Sequence, residues 1–256
     1  MRPNFNPNYY FDKNRHNQIG NIMKIITWNC GGNFRKKFRY IEKYNADILV
    51  IQECESIDKI QSANQTIVIK YNVEWINDGS QRTDKGLGIF LKKGVVFKKQ
   101  NWETFGLNHY LAVKIENKFD LIGIWTENPG YIRDACVYLQ MYEKLFTNKS
   151  ENVLLCGDLN SFKKDKYTSK TKNIETYFKK LYEMNIHSCY HYTYDKELGD
   201  KEELKTFISP NGKRYHIDYI FTNMEYSGFF IDDFDNFKVS GKNISDHVPL
   251  GVNLDI

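Results

Sequence analysis

The apolar residues of this chain come in short runs that stop at, or enclose, a polar residue, and that pattern limits its fold more than any other feature. Ile25-Ile26-Thr27-Trp28 stops at Asn29, Asp47-Ile48-Leu49-Val50-Ile51-Gln52 stops at Glu53, and Val153-Leu154-Leu155-Cys156-Gly157 stops at Asp158-Leu159-Asn160. His216-Ile217-Asp218-Tyr219-Ile220-Phe221 and Ser245-Asp246-His247-Val248-Pro249-Leu250 carry their polar residues inside the run. Runs of this length read as buried strands. A strand end is where a rigid scaffold hands a side chain to solvent, and several such ends converge without being neighbours in sequence. Asn29, Glu53, Asp158, Asn160, Asp218, Asp246 and His247 are therefore the candidate site residues.

Strands are predicted at 23–29, 47–53, 66–75, 86–92, 110–115 and 119–126, then at 153–158, 204–208, 214–222, 228–232 and 246–253. Helical spacing appears near 34–45 (Phe34, Phe38, Ile41, Tyr44), over 131–147 (Ala135, Leu139, Tyr142, Phe146) and near 173–185 (Tyr177, Leu181, Met184). Asn128-Pro129-Gly130 forms the entry turn of the second helix. Asn77-Asp78-Gly79-Ser80 and Glu116-Asn117-Lys118 supply hairpin turns joining 66–75 to 86–92 and 110–115 to 119–126. Helices interleaved with hairpins and with non-adjacent strands predict an α/β fold of two mixed sheets packed face to face and covered by helices.

With 256 residues, 41% of them hydrophobic and 15% aromatic, the chain is large enough for one folded core and too apolar for disorder. No repeat or linker divides it, so 23–256 is expected to be a single domain, preceded by a flexible arm at 1–22. Thirty-six Lys and Arg against 32 Asp and Glu leave a net charge of +4, which permits a nucleic-acid partner without establishing one. Five widely spaced cysteines with no CxxC pair suit a reduced, cytoplasmic protein and argue against structural zinc. No run of apolar residues is long enough to span a membrane, and residues 1–22, rich in Asn and Tyr, lack the apolar stretch of a secretion signal. A cytoplasmic monomer with no membrane association is expected.

Carboxylates and carboxamides without paired His or Cys suit a hard divalent cation such as magnesium, which keeps open positions for water and phosphate. Each residue also has a plainer reading, since an Asp or Glu after a strand is more often a turn residue or a helix cap. Asp218, between Ile217 and Tyr219, is harder to dismiss, because an ionised carboxylate in an apolar strand must be paired or hydrogen-bonded. His247 is its expected partner, held in one tautomer and poised for proton transfer.

Taken in order, TWN (27–29), IQE (51–53), GDLNS (157–161), HIDYIF (216–221) and SDHVP (245–249) resemble the endonuclease/exonuclease/phosphatase superfamily over about 23–256. The resemblance implies a four-layer α/β sandwich and metal-assisted hydrolysis of a phosphoester with Mg2+ or Mn2+. It implies that Glu53 ligates the metal, that Asn29 helps to order the metal or the phosphate, and that Asp246 supports the metal site. Asp158 would orient or deprotonate the attacking water, Asn160 would hold a phosphate oxygen or that aspartate, and His247, aligned by Asp218, would transfer a proton or stabilise the phosphate. Nucleic acid, DNA foremost, is the expected substrate of an endonuclease or exonuclease. A phosphatase or phosphodiesterase of small phosphorylated molecules is the alternative, and a binding module that has lost catalysis is a third reading.

The chain departs from the family pattern in three places. Many relatives place His or Tyr where this chain has Trp125-Thr126, so Asn128, Tyr131 or Arg133 becomes a candidate phosphate contact. After GDLNS comes a stretch with seven lysines between Lys163 and Lys180 and a tyrosine, Tyr167, suited either to tracking a phosphate backbone or to a solvated face. Cys189-Tyr190-His191-Tyr192 through Thr206-Phe207, ending in Tyr215-His216-Ile217-Asp218, is similar to compact bacterial members, with His191 and His216 as candidates to line the cleft.

Overall fold

The computed structural model describes residues 22–77, 84–147, 151–163, 172–198 and 202–256. Residues 1–21 of the arm, the Asp78-Gly79-Ser80 turn and residues 164–171 of the lysine-rich stretch, Tyr167 among them, lie outside the described residues. In chain order the first elements are β1 (Ile22–Asn29), α1 (Phe34–Ile41), β2 (Ile48–Glu55), α2 (Ile57–Ala63), α3 (Gln65–Lys70), β3 (Tyr71–Ile76) and β4 (Lys85–Lys92). There follow β5 (Phe97–Lys99), β6 (Tyr110–Ile115), β7 (Phe119–Trp125), α4 (Ile132–Met141), α5 (Glu143–Phe146), β8 (Asn152–Asp158) and α6 (Ile174–Glu183). The last part carries β9 (His187–Ser188), α7 (Cys189–Thr193), β10 (Phe207–Ile208), β11 (Arg214–Tyr215), β12 (Asp218–Thr222), β13 (Tyr226–Ile231), the short hairpin β14 (Lys238–Val239) and β15 (Lys242–Asn243), and β16 (Leu250–Asp255).

Two six-stranded mixed sheets form the centre, one in the order β13-β16-β1-β2-β4-β3 and the other β5-β6-β7-β8-β12-β9. Each contains one parallel pair, β1 with β2 and β7 with β8, whose crossovers run through α1 and through α4 and α5. All other pairings within the two sheets are antiparallel. Ile25, Ile48, Val50, Leu87 and Ile89 of the first sheet meet Leu111, Val113, Leu121, Leu154 and Ile220 of the second in the central core. On the outer face of the first sheet Trp28, Leu49 and Phe90 pack against Phe34, Phe38 and Ile41 of α1. Ile122, Leu155 and Tyr219 of the second pack against Tyr138, Leu139, Tyr177 and Leu181 of α4 and α6. Strands covered on both faces have no polar side, which is why they appear in the sequence as continuous apolar runs.

The expected sandwich is present, with local differences. Residues 65–70 are helical where a strand was predicted at 66–75; Ile67 turns inward and is fully buried while Ile69 is exposed, so packing overrides the β-branched composition. The predicted 131–147 helix divides at Tyr142 into α4 and α5. The predicted 204–208 and 246–253 strands are shorter: only Phe207–Ile208 pairs, and β16 starts at Leu250, after a proline that has no amide hydrogen to give a sheet. Asp246 and His247 therefore sit in the loop before the strand. The Glu116-Asn117-Lys118 turn is as expected, with Glu116 and Asn117 both left-handed (φ 51° and 54°). All five cysteines are free and buried. No helix among the described residues is long and apolar enough to cross a membrane.

Candidate active site

Both parallel pairs end at the same edge of the sandwich. Asn29 closes β1 opposite Gln52, and Asp158 closes β8 opposite Trp125. The buried Asn29 carboxamide spans the two sheets, its Nδ2 donating to Asp158 Oδ2 at 2.9 Å and to Glu53 Oε1 at 3.2 Å, while its Oδ1 accepts from the Gly31 amide at 3.0 Å. One side chain thereby ties the carboxylate of the second sheet to that of the first.

Glu53 reaches this position through a bulge. The register between β2 and β4 shifts between Ile51 and Cys54, so Gln52 and Glu53 face the single residue Leu87. Glu53 adopts φ 57°, a left-handed conformation that costs a non-glycine residue free energy and turns its side chain toward the site. Its second oxygen pairs with the Lys85 ammonium of β4. Burial alone would lower the Lys85 pKa, but the hydrogen bond and charge of Glu53 outweigh it and raise it.

Asp158 is fully buried, and its carboxylate accepts two further hydrogen bonds, both from Asn160. The Asn160 amide donates to its Oδ1 at 2.8 Å, and the Asn160 carboxamide donates to its Oδ2 at 3.0 Å and to the Thr126 carbonyl at 2.9 Å. Asn160 is left-handed (φ 46°), which folds it back over the aspartate two residues earlier. Directly across the β8–β12 ladder from Asp158 lies Asp218, also buried. Two carboxylates side by side away from water cannot both ionise without a cation. Burial first, then the Asp218 charge, pushes the Asp158 pKa well above the usual carboxylate range, against the opposing effect of His247 and Asn29.

His247 supplies that cation. Its Nδ1 lies 2.9 and 3.1 Å from the two Asp218 oxygens, and its Nε2 lies 3.9 Å from Asp158 Oδ2. Burial would lower the imidazole pKa; the charges of Asp218 and Asp158 and the Asp218 hydrogen bond overcome that and hold it above the ordinary histidine value. The loop bearing His247 is latched to β1, since Ser245 Oγ donates to the Asn29 carbonyl at 2.9 Å and Trp28 Nε1 to the His247 carbonyl at 3.1 Å. Asp246, the adjacent residue, is exposed, and its carboxylate faces Gly31 beside the Lys37 ammonium.

Asn29, Glu53, Asp158, Asn160, Asp218, Asp246 and His247 thus stand at one edge of the sandwich. The other candidates are placed differently. Asn128 precedes a cis peptide bond to Pro129 in the turn after β7, Tyr131 is exposed, and Arg133 pairs with its neighbour Asp134 at 3.1 Å. His191 and His216 are buried, with rings 6.1 Å apart. His191 Nδ1 meets Ser188 Oγ at 2.9 Å, and His216 Nδ1 donates to the Leu204 carbonyl at 2.9 Å, so their hydrogen bonds run away from Asp158 and His247. In the lysine-rich stretch, Lys163 pairs with Glu175 and Lys179 with Glu183.

Two residues at this edge carry no sequence signal. Lys85 is one lysine among many, marked only by pairing across from the bulge. Thr206 is fully buried; its hydroxyl accepts from the Ile217 and Asp218 amides at 3.0 and 3.1 Å, and its carbonyl accepts from the Val248 amide at 2.9 Å. It straps the Asp218 strand to the His247 loop.

The donor set suits a hard divalent cation. Glu53 and Asp246 offer carboxylate oxygens with the Asn29 carboxamide beside them, and Glu53 already pairs with one cation, the Lys85 ammonium. A second trio, Asp158, Asp218 and His247, has ligand atoms within 4.8 Å of one another. In that trio His247 Nδ1 is already hydrogen-bonded to Asp218, and its Nε2 faces Asp158.

The model of the endonuclease/exonuclease/phosphatase family matches residues 26–247. No curated protein sequence matches the chain. Among solved structures, the 3'-5' exonuclease NExo from Neisseria meningitidis is similar at 18% identity and a TM-score of 0.63, covering 91% of this chain and 100% of that one. An AP endonuclease from Archaeoglobus fulgidus is similar at 19% identity and a TM-score of 0.61, with 91% and 100% covered. TDP2 from D. rerio, complexed with a single-strand DNA product, is similar at 15% identity and a TM-score of 0.61, with 92% and 99% covered. At these identities the likeness is one of fold.

Proposed function

The chain belongs to the endonuclease/exonuclease/phosphatase family, and on that premise we propose that it is a divalent-metal-dependent phosphodiesterase that hydrolyses nucleic acid, DNA foremost, by attack of water on phosphorus. The observation that carries this reading is the arrangement of His247, bound through Nδ1 to one buried aspartate and directed through Nε2 toward a second that two carboxamides hold.

In this reading Glu53 would hold Mg2+ or Mn2+, with Asn29 and Asp246 beside it. The ion, when bound, offsets the negative charge that builds on the phosphate and favours loss of the leaving oxygen. Asp158, fixed by Asn29 and Asn160, orients the attacking water and takes its proton as the new bond to phosphorus forms and the ester bond breaks. Its raised pKa makes it a better base than an exposed aspartate. His247, kept protonated by Asp218, donates from Nε2 to a non-bridging phosphate oxygen. Acting together, the groups divide the very large barrier to phosphodiester hydrolysis that one carboxylate alone would not overcome.

That D. rerio TDP2 holds a single-strand DNA product on the same fold supports nucleic acid as the substrate. The test is incubation of the purified protein with plasmid, single-stranded DNA and RNA in magnesium or manganese, beside Glu53→Ala. Cleavage by the wild type and none by the variant supports the reading. No cleavage of any of the three by either protein sinks it, and a phosphate-release screen on nucleotides and inositol phosphates then separates a small-molecule phosphatase from an inactive fold.

A further inference from the structure

Beside the Asp246 end of the site lies a cleft of about 360 Å³ between α1 and the β14–β15 hairpin, with Lys36, Lys37, Arg39, Tyr40 and Lys242 in its walls and no acidic residue lining it. The helix reaches this arrangement because Phe34, Phe38 and Ile41 turn into the core, leaving the residues between them outward. Lys36, Arg39 and Lys242 are exposed.

Their lack of carboxylate partners distinguishes these cations from their neighbours. On the same segment Arg35 pairs with Glu55 and Lys43 with Asp232, and in the hairpin Lys238 pairs with Asp235. Among the described residues, none of Lys36, Lys37, Arg39 and Lys242 has a carboxylate within ion-pairing distance. Lys37 hydrogen-bonds the Cys30 carbonyl, and Arg39 lies over the Tyr40 ring at 4.7 Å while its guanidinium meets the Tyr40 hydroxyl. Lys37 faces Asp246 across Gly31, whereas Lys36, Arg39 and Lys242 line a wall that carries no carboxylate, and a polyanion would supply their counter-charge.

The cleft adjoins the candidate active site at Gly31. A Cβ built on Gly31 would lie 3.4 Å from Asp246 Oδ1 and 3.6 Å from Lys37 Nζ, so one glycine is flanked by a site carboxylate and a cleft cation. Ile244, in the cleft wall, is two residues from Asp246 and three from His247.

We propose that this cleft binds the phosphodiester backbone of a nucleic-acid strand next to the phosphate being cut, taking successive phosphates on Lys37, Lys36, Arg39 and Lys242. The inference rests on the phosphodiesterase reading and adds to it the place where the strand beyond the cut phosphate is held. A single-phosphate metabolite occupying the metal centre would leave these cations unused. The cleft's place beside the carboxylate Asp246 of the candidate site fits a strand that runs on from the cut phosphate better than it fits a membrane surface.

The test is fluorescence anisotropy with a labelled single strand of about a dozen nucleotides, in EDTA so that nothing is cut, across a salt series. Lys36→Glu/Arg39→Glu/Lys242→Glu is compared with Lys98→Glu/Lys118→Glu/Lys144→Glu, which removes the same charge from exposed positions elsewhere. The cleft variant is expected to bind roughly tenfold or more weakly and to lose about two from the slope of log affinity against log salt, as three lost phosphate contacts require. The control variant should keep most of the wild-type slope. Thermal unfolding checks both folds, and Lys36→Gln/Arg39→Gln/Lys242→Gln repeats the measurement without charge reversal. Equal loss in cleft and control variants, or no loss in the cleft variant, overturns the proposal. So does loss of binding to phosphatidylserine vesicles with strand binding intact. Cleavage in manganese is scored separately: a strand bound through the cleft but never cut overturns the hydrolysis reading and not the cleft, whereas a strand cut equally well by the cleft variant with unchanged KM overturns the cleft alone.

Discussion

Asp218 holds the Nδ1 of His247 between its two carboxylate oxygens, at 2.9 and 3.1 Å, and so fixes both the direction of Nε2 and the charge of the ring. Because His247 is 4% exposed, water contributes little to either. Asp218→Asn keeps the shape and removes the charge that raises the imidazole pKa. A raised pKa keeps the imidazolium present to higher pH, so in the variant the alkaline limb of kcat/KM moves to lower pH. Turnover at neutral pH falls roughly a hundredfold or more, and a pH–rate profile of the two proteins is the check.

His247→Ala should lose turnover by about two to four orders of magnitude while the fold survives. The latches at this point use the Trp28 indole and the His247 backbone carbonyl, which the substitution keeps. Circular dichroism and thermal unfolding alongside the activity measurement separate loss of chemistry from loss of structure.

Removing divalent metal with EDTA should abolish activity, and manganese or magnesium should restore it. Glu53→Gln should demand roughly tenfold or more metal for half-maximal rate, because the position loses the charge that Lys85 and the ion share. Titration of activity against manganese measures this, and an unchanged midpoint would mean that the metal binds elsewhere.

His216 offers a test of stability rather than activity. Burial lowers its pKa from 6.5 to about 4 against the opposing charge of Glu202. The unfolded chain therefore binds a proton that the folded chain refuses, and stability present above about pH 6.5 is lost as the pH falls toward 4. The loss approaches about 3 kcal/mol for this one group. Urea unfolding midpoints of the wild type and His216→Asn should converge as the pH is lowered through that window, since Asn retains a donor for the Leu204 carbonyl and has nothing to titrate.

Gly157→Ala should destabilise the fold by more than about 2 kcal/mol. An added Cβ would lie 1.8 Å from the Ile124 carbonyl oxygen, and the residue's φ of +144° disfavours any side chain. The β7–β8 pairing must part to admit it, which displaces Asp158 next to it. Chemical denaturation together with residual activity reads both effects.

The strands, the covering helices and most of the polar residues at the site edge were legible from the sequence because their signals are local. A strand buried on both faces must be apolar along its length, and a polar residue closing such a run is visible wherever the strand goes. Residues 65–70 were misread for the same reason: their β-branched composition speaks for a strand, and only the burial of Ile67 beneath the first sheet makes them a helix. Membership in a family of phosphoester-cleaving enzymes was likewise present in the order of five short segments.

Tertiary structure alone decided how those residues act on one another. Asp158 and Asp218 become a coupled pair because antiparallel register sets them opposite each other, and Glu53 faces the same edge because a bulge turns it. Thr206 straps Asp218 to the His247 loop through contacts that no local pattern encodes. The basic cleft joins a helix near residue 36 to a hairpin near residue 242, and its character depends on which lysines found carboxylates and which did not. Sequence determines which groups are polar, charged or apolar along the chain; pKa, pairing and substrate shape depend on distances between residues far apart in it, and those distances exist only once the sheets have packed.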